Sequence, residues 1–125
     1  MNLSVLSGKN LNPKDSNGLS DPYVIVQHIY ADPLFAHHSP ELMARTPHVK
    51  KTLNPTWDHS IDLIALPGDS IKFLVYDHDL LSKDDFMGSA TLLISSIVTS
   101  PTQLTLELFE HQTPAGSLEI AFTIK

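Results

Sequence analysis

From Ser117 to Lys125 the chain alternates residue by residue. Leu118, Ile120, Phe122 and Ile124 fall on one face, and Ser117, Glu119, Thr123 and Lys125 on the other. A period of two puts every apolar side chain on one side of a pleated strand, so this segment fits a half-buried strand of an antiparallel sheet. Leu104, Leu106 and Leu108 repeat the pattern, as do Ile71, Phe73 and Val75. Further strands are predicted over Leu3–Leu6, Pro22–Ile29, Val49–Lys51, His59–Ile64 and Gly88–Leu93. Asn17-Gly18, Asn54-Pro55, Pro67-Gly68-Asp69 and Ala115-Gly116 are turn signals between them. Eight short strands at this spacing predict an all-β, eight-stranded antiparallel β-sandwich. A helical turn is expected near Ser39–Ala44 or Ser95–Thr99. Tyr30 to His48, with Pro33, Pro40, Pro47 and His37-His38, reads as one long functional or mobile loop.

The 125 residues suit a single domain, 1–125, able to bury roughly two-thirds of the surface of its unfolded chain. Apolar residues at 42% and charged residues at 18% predict a packed core rather than disorder. The absence of cysteine excludes disulfides and thiolate metal sites, and it suits a cytoplasmic protein. No apolar run approaches the ~20 residues of a membrane-spanning helix. The net charge of −6 argues against nucleic acid as a partner, and against unaided attraction to anionic lipid.

The acidic residues are not scattered. Asp15 and Asp21 border the strand that begins at Pro22, while Asp77, Asp79 and Asp85 follow the strand ending near Tyr76. Carboxylates concentrated at strand ends repel one another unless a cation joins them. Calcium takes six to eight oxygens, more than either short loop supplies, so a site assembled from two loops is expected. Five carboxylates exceed the needs of one ion and suit two or three. Two divalent ions would bring the net charge from −6 to −2. An EF-hand fails: counted from Asp77, the glycine position is Ser82 and the bidentate glutamate position is Gly88. Asp84 is expected to be a solvated loop residue.

Asn10-Leu11, Ser20-Asp21-Pro22-Tyr23-Val24, Lys51-Thr52-Leu53-Asn54-Pro55 with Trp57, and Val75-Tyr76-Asp77-His78-Asp79 with Ser82, Lys83, Asp85 and Gly88 together resemble a C2 domain over essentially the whole chain. The resemblance implies an eight-stranded sandwich of type II topology, with calcium held between the first and third loops at one end. It implies that Asp15, Asp21, Asp77, Asp79 and Asp85 are the ligands. Backbone carbonyls of Lys14, His78 and Lys83 and the Ser82 hydroxyl are expected to assist. It further implies calcium-dependent docking on anionic phospholipid, phosphatidylserine being the expected headgroup, and peripheral association with the membrane. The alternative is a calcium-independent or calcium-modulated protein-interaction domain that uses the 30–48 loop. A module of a larger protein, or a monomer, is expected.

Leu80 and Leu81 fall at the tip of the third loop, where partial insertion into lipid would supplement a calcium bridge. Leu19 is a weaker candidate. Lys50 and Lys51 are candidate headgroup contacts, although few bases precede them, which argues against strong phosphoinositide selectivity. Zinc at His37-His38 with His28 or His48 is disfavoured because adjacent histidines point apart and no cysteine helps. His78 lies between two expected ligands, so its protonation is expected to weaken calcium binding. The paired carboxylates could suit a glycosidase, but 7% aromatic residues make a poor sugar cleft, and no nucleophile motif is present, so the domain is not read as an enzyme. Trp57 reads as core.

Overall fold

In the computed structural model, which describes residues 1–14, 18–95 and 101–123, alternating burial is the rule. Eight strands form: β1 (Asn2–Lys9), β2 (Pro22–Ile29), β3 (Glu41–Arg45), β4 (Thr56–Asp62), β5 (Ser70–Asp77), β6 (Asp85–Leu93), β7 (Thr102–Glu110) and β8 (Thr113–Thr123). Every second residue of β5 is buried, as its period-two sequence requires. All paired strands are antiparallel, in the order β3-β2-β5-β6-β7-β8-β1-β4. The middle of this ladder is thin. Among the described residues β6 and β7 share only the Ser89–Phe109 pair, and there the sheet folds into two four-stranded halves.

The core lies between those halves. Val24, Val26, Ile71, Phe73, Val75 and Met87 come from one, and Leu3, Val5, Leu108, Leu118, Ile120 and Phe122 from the other. Each such side chain contributes roughly 1.5–3 kcal/mol by leaving water. Gly116 lets β8 lie close against the end of its neighbour β1: it has a φ of +101°, and a Cβ there would sit 2.6 Å from the Lys9 carbonyl oxygen. Trp57 packs against the core and its Nε1 donates to the Pro22 carbonyl at 3.1 Å, in keeping with its reading as a packing residue.

Two local expectations are corrected. The third strand is Glu41–Arg45 and not Val49–Lys51, so the 30–48 segment is not a single loop. Lys51 has a φ of +53°, outside strand geometry, and Val49 makes one backbone hydrogen bond to Pro22 beside β2. The helical turn is a 3-10 turn over Ala36–His38, since Glu41 to Ala44 is drawn into the sheet beside β2. The 96–99 part of the other expected turn lies outside the described residues, as does Ile124. The chain opens on the strand that leads into the first acidic segment and closes on a neighbour of that strand, as the type II arrangement requires.

Candidate functional site

Antiparallel pairing brings parts of four connections to one end of the sandwich: residues 10–14 with 18–21, 46–55, 78–84 and 111–112. The register then determines which carboxylates meet. Pro22 pairs with Asp77, and Asp77 pairs with Asp85, so three expected ligands or their neighbours lie in one row across β2, β5 and β6. The Asp21 amide donates to Asp77 Oδ1 at 2.8 Å, and the His78 amide donates to the Asp21 carbonyl at 2.9 Å. Asp77 is 1% exposed. Like charges directly opposite one another in a sheet are destabilising, so this pairing favours an added cation.

The remaining ligand candidates have their own partners. Asp21 Oδ1 accepts the Lys51 amide at 2.7 Å. Asp79 accepts the Leu81 amide at 2.8 Å and the Ser82 hydroxyl at 2.9 Å, and these two bonds hold its carboxyl below the usual carboxylate range. Ser82 also reaches the Lys83 carbonyl at 3.4 Å. The Lys14 amide donates to the Ser20 hydroxyl, and its ammonium pairs with Glu110 at 2.7 Å. Asp85 is exposed, as are Lys50, Lys51 and Lys83. Asp15 lies outside the described residues. Among the described residues, no three acidic or histidine side chains converge closely enough to hold a metal ion. The donors are oxygens throughout, which fits a hard cation, but Asp21 and Asp79 now spend oxygens on backbone amides.

Asp84 departs from its expected role. Its Oδ1 accepts the Asp79 amide at 2.9 Å, and its Oδ2 accepts the Tyr23 hydroxyl. His78 Nδ1 and Arg45 Nη2 lie 3.7 and 3.8 Å away. The Tyr23 bond foremost, then the Asp79 amide, lowers the Asp84 carboxyl; burial, with the same hydrogen bond, pushes Tyr23 up to about 12. The Arg45 guanidinium covers the Tyr23 ring at 4.2 Å, and His48 stacks on His78 at 4.2 Å. This network ties the third loop to β2 and β3. Sequence patterning missed it because Tyr23 and Asp84 are 61 residues apart.

His28 and His48, the two alternative partners of the His37-His38 pair, lie at opposite ends of the domain. His28 is buried against Asp69, whereas His48 stacks at the acidic end, and the strands separate them. Leu80 and Leu81 are 88% and 96% exposed in the 78–84 connection; Leu19 is half-buried.

An all-β sandwich with acidic loops at one end defines the class. The C2 domain family model matches residues 1–111, and the chain belongs to the C2 domain family. It is 35% identical over 105 residues to human protein piccolo, covering 75% of this chain and 2% of that protein. It is 33% identical over 118 residues to a C2 domain-containing protein of Dictyostelium discoideum, covering 87% of this chain and 57% of the other. The chain thus spans only part of these relatives. Among solved structures, a C2 domain of plant Extended Synaptotagmin 1 superposes with a TM-score of 0.79 at 25% identity, over 96% of this chain and 88% of that one. Family members bind membranes or act in signalling, and the domain itself is a non-catalytic module. No helix among the described residues is long and apolar enough to cross a membrane.

Proposed function

We propose that this domain binds anionic phospholipid membranes in response to calcium. The observation that carries the reading is the register that sets Asp77 directly opposite Asp85 and beside Pro22, next to Asp21. Asp15, Asp21, Asp77, Asp79 and Asp85 would hold two or three ions, with carbonyls of Lys14, His78 and Lys83 and the Ser82 hydroxyl completing the oxygen set. Bound calcium supplies positive charge and open coordination for a lipid phosphate or serine carboxylate.

The chain's own residues do the rest. Leu80 and Leu81 insert into the interface between headgroups and acyl chains, and Lys50 and Lys51 meet headgroups beside them. The Tyr23–Asp84 bond keeps the third loop seated on β2 while its tip is loaded. The aspartates, when unneutralised, repel anionic lipid, so the switch is electrostatic and needs no large conformational change. The domain is then cytoplasmic, and peripheral to the membrane when loaded. No catalytic step is assigned to it.

The test is co-sedimentation with phosphatidylserine-containing and neutral vesicles, each in calcium and in chelator. Pelleting that requires both calcium and anionic lipid supports the reading. Equal pelleting in chelator overturns it.

A second reading, calcium-independent or calcium-modulated protein interaction, is favoured by one observation: an apolar cavity opens beside residues 30–41.

A further inference from the structure

The end of the sandwich opposite the aspartates contains a cavity of about 420 Å³, within the range of small-ligand and side-chain pockets. Tyr30, Phe35, Ile64 and Leu66 form its apolar walls, and Asp32 and Glu41 stand among them. Tyr30 is held firmly. Its ring stacks on His28 at 4.0 Å, and its hydroxyl donates to Glu41 Oε2 at 2.5 Å. His28 is in turn fixed by Asp69 at 2.8 Å, and Asp69 also accepts the amides of Ala31 and Leu66. Buried Asp69 and half-buried Tyr30 thus anchor one side of the cavity, whereas Phe35, Ile64 and Leu66 open it to solvent.

Two features say what this cavity takes. Ile64 is 85% exposed, and Leu66 and Phe35, which line the same cavity, are exposed with it. The charge lining the cavity is acidic: Asp32, Glu41 and Asp69 are opposed only by His38, and no lysine or arginine lines it. Asp69 is consumed by its own partners. Asp32 Oδ1 accepts the Leu34 amide, whereas Asp32 Oδ2 and Glu41 Oε1 carry no hydrogen bond among the described residues.

We propose that this cavity is a docking site for a protein segment that presents a lysine or arginine flanked by large apolar side chains. The cation meets Asp32 and Glu41 and lies against the rings of Tyr30 and Phe35. The flanking apolar side chains cover Ile64 and Leu66. The same two carboxylates reject phosphate and carboxylate groups, so a lipid headgroup does not suit this end. The inference stands independently of calcium binding.

The test is a titration of the isotopically labelled chain, in chelator, followed by amide chemical shifts. The probe is the blocked peptide Leu-Arg-Leu-Lys-Leu, compared with Leu-Glu-Leu-Glu-Leu and Ser-Arg-Ser-Lys-Ser. Shifts confined to residues 30–41 and 64–69, seen with the first peptide and much weakened with the other two, are expected. Asp32→Asn with Glu41→Gln should weaken binding about tenfold or more, and Ile64→Ser should weaken it too. The amide oxygen introduced by Glu41→Gln still accepts the Tyr30 hydroxyl, so an unchanged spectrum elsewhere shows that the wall survives. Several outcomes overturn the proposal: equal binding of the acidic peptide, no shifts at millimolar basic peptide, or shifts elsewhere on the domain. Occupancy by phosphatidylserine vesicles in chelator, or self-association abolished by Ile64→Ser, overturns it in favour of lipid or a second copy of the chain.

Discussion

The hydroxyl of Tyr23 on β2 donates to the carboxylate of Asp84, the residue just before β6, and so closes the third loop onto the neighbouring strand. Tyr23 is buried and the Arg45 guanidinium covers its ring, so this bond is partly screened from water. Tyr23→Phe should lower stability by about 1.5–3 kcal/mol, the scale of a hydrogen bond to a charged group. Thermal unfolding in chelator measures it. Vesicle binding in calcium should weaken but persist, in contrast to the loss of a ligand. Full retention of stability would show that the loop needs no such tie.

Asp77 serves two ends at once, accepting the Asp21 amide while facing Asp85. Asp77→Asn keeps an acceptor oxygen for that amide and removes one of two opposed charges. Calcium-driven sedimentation should be abolished, with the melting temperature in chelator unchanged or raised. Asp77→Ala loses the acceptor as well and should be destabilised by about 1–3 kcal/mol. Unfolding of the asparagine variant would mean the carboxylate is structural.

Leu80 and Leu81 touch little of their own domain. Serine at both positions should leave stability within about 0.5 kcal/mol. It should weaken vesicle binding at saturating calcium by about tenfold or more, given roughly 1.5–3 kcal/mol for a fully buried leucine. Calcium affinity without lipid should not move. Paired calorimetric and sedimentation titrations separate the two effects.

Asp69 gives the fold an acid limit. Burial alone would raise its carboxyl, but the amides of Ala31 and Leu66 and the His28 ring together hold it below the ordinary carboxylate value. A carboxyl depressed in the folded state stabilises at pH values above its unfolded value of about 4, and that stabilisation is lost as pH falls through the folded value. Stability should therefore drop below about pH 4, and Asp69→Ala should flatten that drop at an overall loss of about 3 kcal/mol or more. Urea midpoints measured from pH 3 to pH 7 decide it.

Gly116→Ala should destabilise by about 2–4 kcal/mol, because it combines a left-handed backbone with a Cβ placed against a carbonyl oxygen. Thermal unfolding is again the measurement.

Much of this was legible from residue patterning. β2 spans the predicted Pro22–Ile29, and the alternation in β5 and β8 placed Phe73, Leu118 and Ile120 in the core. β3 escaped because it is an edge strand between Pro40 and Pro47 with no fully buried residue, so it carries no alternation to read. Val49–Lys51 misled because one β-branched residue beside lysines looks extended, whereas a left-handed Lys51 turns its amide to Asp21. The pairing of Asp77 with Asp85, and the Asp21 amide on Asp77, follow from antiparallel registers, which bring strand ends together. The anchoring of Asp84 does not, because no local pattern encodes a contact across an intervening strand, β5, between residues 61 apart in sequence.

The eight residues of β5 run from the cavity end, at Asp69, to the aspartate end, at Asp77. At about 3.3 Å per residue they separate the two by roughly 25 Å. A domain seated on a bilayer through Leu80 and Leu81 would therefore hold its 30–41 segment clear of the lipid, facing the solvent. Both ends can be engaged together, and a partner held at one end would raise the local concentration of whatever the other end binds. Such a domain acts as a spacer with two contacts, and neither contact has to be strong for the assembly to last.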